Sequence, residues 1–204
     1  MLAGAEGQAW LRVPEARSLW QDTDMGNTRA WPVLRTADLA EALSLAQRLL
    51  SVASWYEPSG CYLDAWARND DDLRRLTDAF PGVDVTSYGT DGAGLPARVC
   101  LGAGTFAQVR EALGTWADIT RCYVLWHNLR WPSVPDLGLA EEYKYAELQI
   151  ACNSHDIHCE EWAAEHTVFV HTRPGDDERV AWLAAQVDAR VRVVVRRTDR
   201  LSAW

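Results

Sequence analysis

Residues able to do chemistry concentrate in one stretch of this 204-residue sequence: Cys152, His155, His158 and Cys159, with Glu160, His166 and His171 close behind. Thiolate and imidazole are the soft donors that hold zinc, and Cys-x-x-His is a workable local chelate. Cys152, His155, His158 and Cys159 are therefore the candidate metal ligands, and zinc the candidate cofactor. The spacing argues the other way. On a strand the adjacent His158 and Cys159 would point apart, and His166 and His171, five residues apart, would face opposite sides of the sheet. A second ligand pair across a loop, the usual partner in a structural zinc site, is missing. Ordinary loop and core histidines account for the same residues, so no cofactor is expected.

His158-Cys159-Glu160 also spells H-x-E, the opening of the zinc deaminase signature, which needs a downstream P-C-x-x-C to complete the metal shell. No cysteine follows Cys159, which excludes deamination. Gly102, Gly104 and Ala107 fit G-x-G-x-x-A, where backbone N–H groups at a helix start could approach a pyrophosphate. The acidic partner about twenty residues on is absent, and a tight turn into a Thr-capped helix explains the glycines as well. His127 with Glu147, or Cys159 with His166, are further acid–base combinations that the sequence cannot bring together. No Walker loop, G-x-S-x-G elbow or H-E-x-x-H helix occurs. The five cysteines follow no disulfide framework, and Cys61, Cys100 and Cys122 lie in apolar runs where small thiols are buried and inert.

The elements that must position these residues read as α+β. Residues 1–35 are weakly patterned, with Trp10–Val13 and Trp31–Leu34 as possible short strands. From Thr36, a candidate cap, Leu39, Leu43, Ala46, Leu50 and Ala53 share one helical face. Then come a strand at Cys61–Ala67, a helix capped by Asn69 and opened by three aspartates, a strand at Val83–Tyr88, a glycine-rich hairpin over 89–96 and a strand at Ala97–Leu101. A helix from Thr105 follows, with Thr105 and Gln108 as a capping box, and then a strand at Cys122–His127. The order βαββαβ over residues 60–127 resembles a ferredoxin-like split unit. A loop with Pro132 and Pro135 follows, then strands at Tyr145–Cys152 and His166–Thr172, a helix over 176–188 and a strand at Arg190–Arg197, so the chain closes with a C-terminal βαβ. No internal repeat is visible. The expectation is one α+β domain over 1–204: a mixed β-sheet with helices packed on it.

Hydrophobic residues at 48% and charged ones at 24% are ordinary globular proportions. Met1–Trp10 carry neither a basic cluster nor an unbroken apolar stretch, and no run approaches the ~18 residues of a membrane span; the expected location is cytoplasmic. The net charge of −9 makes nucleic acid a poor partner, although Arg190–Arg200 could form a local basic patch. From Glu141 to Glu178 ten acids stand against Lys144 and Arg173, and the chain has 11 Trp but only 3 Phe. An acidic face steers basic partners, and Trp is favoured as an interface anchor. Together with the missing active-site motifs, this points to a non-catalytic protein-binding module, of the kind that acidic bacterial immunity proteins and antitoxins are, with Glu160, Glu161, Trp162 and Glu165 as its contact residues. The alternatives are a zinc enzyme and a small-ligand or nucleotide binder.

Overall fold

The computed structural model describes residues 29–88 and 95–187. In chain order they form β1 (Arg29–Thr36), α1 (Leu39–Val52), β2 (Ser54–Ala67), α2 (Asp70–Ala79), β3 (Asp84–Ser87), β4 (Ala97–Gly102), α3 (Phe106–Ala117), β5 (Cys122–Arg130), a 3-10 turn at Pro135–Leu137, β6 (Glu147–Cys152), β7 (His166–Thr172) and α4 (Asp177–Gln186). The expected strands Trp10–Val13 and Arg190–Arg197 lie outside the described residues.

The strands make one sheet in the order β1-β7-β6-β5-β2-β4-β3, and every neighbouring pair is antiparallel. The expected mixed sheet is thereby corrected. Helices α2 and α3 each return the chain parallel to the strand it left, but another strand sits between the two. β4 separates β2 from β3, and β2 separates β4 from β5. A topological repeat emerges that residue types do not display. The order β1-β7-β6, with α1 after β1 and α4 after β7, matches the order β2-β4-β3, with α2 after β2 and α3 after β4. The second set, with β5, is inserted in the chain between α1 and β6.

Alternation along the strands divides the sheet's side chains between two faces. Leu63, Val99, Val124, Ile150 and Val168 join Leu45 and Leu49 of α1, Leu76 of α2, Leu113 and Trp116 of α3 and Leu183 of α4 in a single buried cluster. The other face, called the outer face below, carries Tyr62, Asp64, Arg98, Tyr123, Glu147, Gln149 and His171. Local signals set the helix starts. Asn69 accepts from Asp72 N at 2.8 Å, and Thr105 and Gln108 form the reciprocal capping box. At α1 the cap is Asp38, whose side chain accepts from Ala40 N at 2.9 Å. Thr36 instead receives Asp38 N and donates to Glu41, because it is still the last residue of β1. Among the described residues no helix is long and apolar enough to cross a membrane.

Candidate functional site

The loop joining β6 to β7, residues 153–165, carries the exposed chemistry. Asp156 organises it. Its carboxylate accepts from His158 N at 2.9 Å, from Glu160 N and Glu161 N at 3.1 Å and from the Ser154 hydroxyl at 2.8 Å. Partial burial raises the Asp156 pKa, but the N–H groups of Glu160 and Glu161, the Ser154 hydroxyl and His158 N outweigh it and hold the carboxyl below its usual range. The rest of the loop is tied to the sheet and to the end of α3. Gln149 Nε2 donates to Ile157 O at 2.6 Å, Asn153 Nδ2 to Ala117 O at 2.7 Å and Thr167 Oγ1 to Ser154 O at 2.8 Å. Arg121 donates to Glu160 O. Asn153 and Cys159 take left-handed backbone angles, φ 55° and 54°, which turn the chain back over the outer face.

On this scaffold Trp162 stands out at 62% exposure, the highest of the exposed large hydrophobic side chains among the described residues. Glu160 and Glu161 beside it are exposed, and Glu165 pairs with His155 at 3.1 Å. The four expected contact residues thus share one ordered loop. The acidic segment is less uniformly available than its formal charge implies. Glu142 is buried against Arg173 and accepts from Lys144 N at 2.9 Å; Asp176 is buried against Arg179 at 2.6 Å; Glu141 meets Arg130 at 2.8 Å. These acids hold the 131–146 connection and the start of α4.

The expected metal ligands are dispersed. Cys152 belongs to the main core, whereas Cys159 packs with Ala151 and Phe169 in a separate small cluster. His155 is engaged by Glu165 and His158 is exposed. Among the described residues no group of three or more His, Cys, Asp or Glu is arranged to hold a metal. At the glycine turn, Gly104 N and Thr105 N both donate to Gln108 Oε1 at 3.0 Å. Two of the N–H groups that a phosphate would need are already engaged by the helix's own cap.

The outer face holds the Asp64 network and the contacts of His171, which sequence reasoning missed, and brings together His127 and Glu147, which it named without being able to place. Asp64, fully buried, accepts from Arg98 Nε at 2.8 Å, from Arg98 Nη2 and from the Tyr123 hydroxyl at 2.6 Å. Two outer-face rows along, beyond Tyr62, Leu125 and Gln149, His127 and Glu147 occupy neighbouring positions of adjacent strands, because Trp126 pairs with Leu148. The His127 ring fills the space beside Gly60, where a Cβ would fall 2.0 Å from Nε2. Across β7, His171 Nδ1 lies 3.7 Å from Glu147 Oε2 and His171 Nε2 3.1 Å from Gln149 Oε1. Gln149 donates to Ile157 O, so its oxygen is the end facing His171, and the neutral ring carries its proton on Nε2. Burial raises Glu147 to about 7; burial, helped by the His158 charge, lowers His171 to about 4. A carboxyl and an imidazole that hold one proton between them can exchange it with a neighbouring group. Strand register was the missing signal, since it alone makes β5, β6 and β7 neighbours. Comparison with protein-family models, curated proteins and solved structures finds no match to this chain.

Proposed function

We propose that the chain is a protein-binding module whose 153–165 loop takes a partner with a basic surface, in the manner of an immunity or antitoxin inhibitor. The observation that carries the reading is Trp162: a large aromatic side chain left exposed on a loop that Asp156, Gln149 and Arg121 hold in one shape. Ordering before contact lowers the entropic cost of binding, and a Trp flanked by carboxylates offers an apolar anchor with charge steering around it. Strands β2 to β5 are read as a ferredoxin-like unit, supported by the interleaved order β5-β2-β4-β3. In that reading the loop projects from the outer half of the sheet, β6 and β7.

The test is affinity capture from the source cells with wild type and with the quadruple variant Glu160→Gln, Glu161→Gln, Trp162→Ser, Glu165→Gln. The expected result is a basic protein that binds the wild type in a salt-sensitive way and binds the variant at least about thirtyfold more weakly, the scale of losing one hot-spot aromatic. Equal binding by both would remove the loop from the interface. A second reading, proton transfer at Glu147 and His171, rests on their shared row with His127, and the stability–pH profile described in the Discussion tests the raised Glu147 protonation that it requires.

A further inference from the structure

Cys122 and Cys152 are direct partners in the β5–β6 ladder. Opposed residues of an antiparallel pair have Cα atoms about 4.5–5.5 Å apart and side chains on the same face, which lies inside the roughly 4.4–6.8 Å span of a disulfide. Ala151 pairs with Thr167, so His166 continues the same row on β7. Asn153 N donates to His166 Nδ1 at 3.2 Å. The neutral ring therefore carries its proton on Nε2, and Cys122 and His166 flank Cys152 on the two adjacent strands. His166 breaks the symmetry between the two cysteines, because it stands beside Cys152 whereas Cys122 has Ala65 of β2 on its other side. Hydrogen bonds from Cys122 and then His166 lower the Cys152 pKa against the opposing effect of burial, while the bond to Cys152 and burial raise that of Cys122.

The remaining described cysteines supply internal comparators. Cys61 and Cys100 are more exposed, yet burial pushes each up to about 12. They also lie on opposite faces, because Cys61 belongs with the core side chains and Cys100 pairs with the outer-face Asp64. Cys159 donates to Cys122 O at 3.4 Å from the outer-face cluster. Cys122 opens β5, Cys152 ends β6 and His166 opens β7. Both thiols are fully buried, so the reaction requires transient opening of these strand ends.

We propose that Cys152 and Cys122 form a peroxide-responsive pair that closes into a cross-strand disulfide. The Cys152 thiolate attacks the O–O bond of a hydroperoxide; its sulfur becomes a sulfenic acid and the peroxide leaves, on taking up a proton, as an alcohol or water. The Cys122 thiol then displaces the sulfenic hydroxyl as water and forms the S–S bond. The two electrons lost by the sulfurs are those that reduced the peroxide. His166 is a positioning residue for the first step.

The test treats the purified full chain with stoichiometric hydrogen peroxide, blocks free thiols and maps the cross-linked peptides by mass spectrometry. The expected product is the Cys122–Cys152 disulfide with Cys61 and Cys100 still free. In Cys122→Ser, a dimedone adduct should appear at Cys152. In His166→Gln, the pH midpoint of oxidation should move upward by about one unit, a readout that simple loosening of the fold would not shift in that direction. A disulfide through Cys159, oxidation of Cys61 or Cys100 as fast as of Cys152, a metal held by the two thiols that blocks the reaction, or no oxidation at all would each overturn the proposal.

Discussion

Leu63 and Asp64 are neighbours on β2, both with no exposed surface, and they face opposite sides of the same sheet. Leu63 is stabilised by apolar area in contact with helices, an interaction without direction that many residue types could supply. Asp64 is tolerated only because Arg98 and Tyr123 reach its two oxygens. The helix-covered face therefore specifies where the layers meet, while the outer face specifies which residue stands opposite which. A one-residue slip of β2 would bring Asp64 under the helices and leave Arg98 without its carboxylate.

Substitutions can test that contrast. The largest effect is expected from Leu63→Ala, a cavity in the core beneath α2 and α3 that should cost about 2–5 kcal/mol in urea unfolding. Asp64→Ala should cost about 3 kcal/mol or somewhat less, because Arg98, at 36% side-chain exposure, can recover part of its hydration. If Asp64→Leu proved as stable as wild type, the outer-face network would add specificity without stability. The pH response comes next. In the unfolded chain Glu147 titrates near 4.5 and His171 near 6.5, against about 7 and about 4 in the fold. As pH rises from about 4.5 to 7 the fold holds the Glu147 proton that the unfolded chain has released, so this contribution to stability falls. As pH falls from about 6.5 to 4 the unfolded chain takes up a His171 proton that the fold refuses, so this contribution falls in the other direction. Their slopes oppose one another between about pH 4.5 and 6.5. Glu147→Gln should therefore stabilise the protein at pH 8 by on the order of 1–3 kcal/mol and expose an acid-side loss that the wild type hides. A wild-type slope equal to the variant's across that range would show that Glu147 titration is not coupled to folding. The smallest change in stability is expected at the loop tip: Trp162→Ala should stay within about 0.5 kcal/mol of wild type, whereas Asp156→Ala should speed amide exchange at His158, Glu160 and Glu161 severalfold.

Most elements were legible because their signals are local. The Asn69 and Thr105 caps, the three aspartates opening α2 and the alternation through β6 all place elements within a few residues of where they lie. Local reading failed where tertiary pairing overrides a turn residue. Apolar patterning starts the strand at Cys61, but pairing with β5 carries β2 back to Ser54. Asn128, at φ 58°, looked like the start of a loop, yet β5 continues to Arg130. For the same reason the candidate sites were half visible. The loop residues Glu160, Glu161, Trp162 and Glu165 are close in sequence and could be grouped by inspection. Cys152 was grouped with Cys159, its near neighbour in the chain, when its partners are Cys122 and His166 on adjacent strands. Only the register of β5, β6 and β7 could show that.

The insertion of β2 to β5 between α1 and β6 has a kinetic consequence. Strands β2, β3, β4 and β5 with α2 and α3 close on one another within residues 54–130, whereas the β1–β7 ladder joins residues as far apart as Arg29 and Thr172. Loop closure over that distance is entropically dearer until the intervening chain has become compact. The inserted unit is thus expected to act as the folding nucleus and to shorten the effective loop that β1 must span. Pulse-labelled hydrogen exchange during refolding should protect β2, β4 and β5 before β1 and β7; simultaneous protection would mean that the whole sheet condenses in one cooperative step.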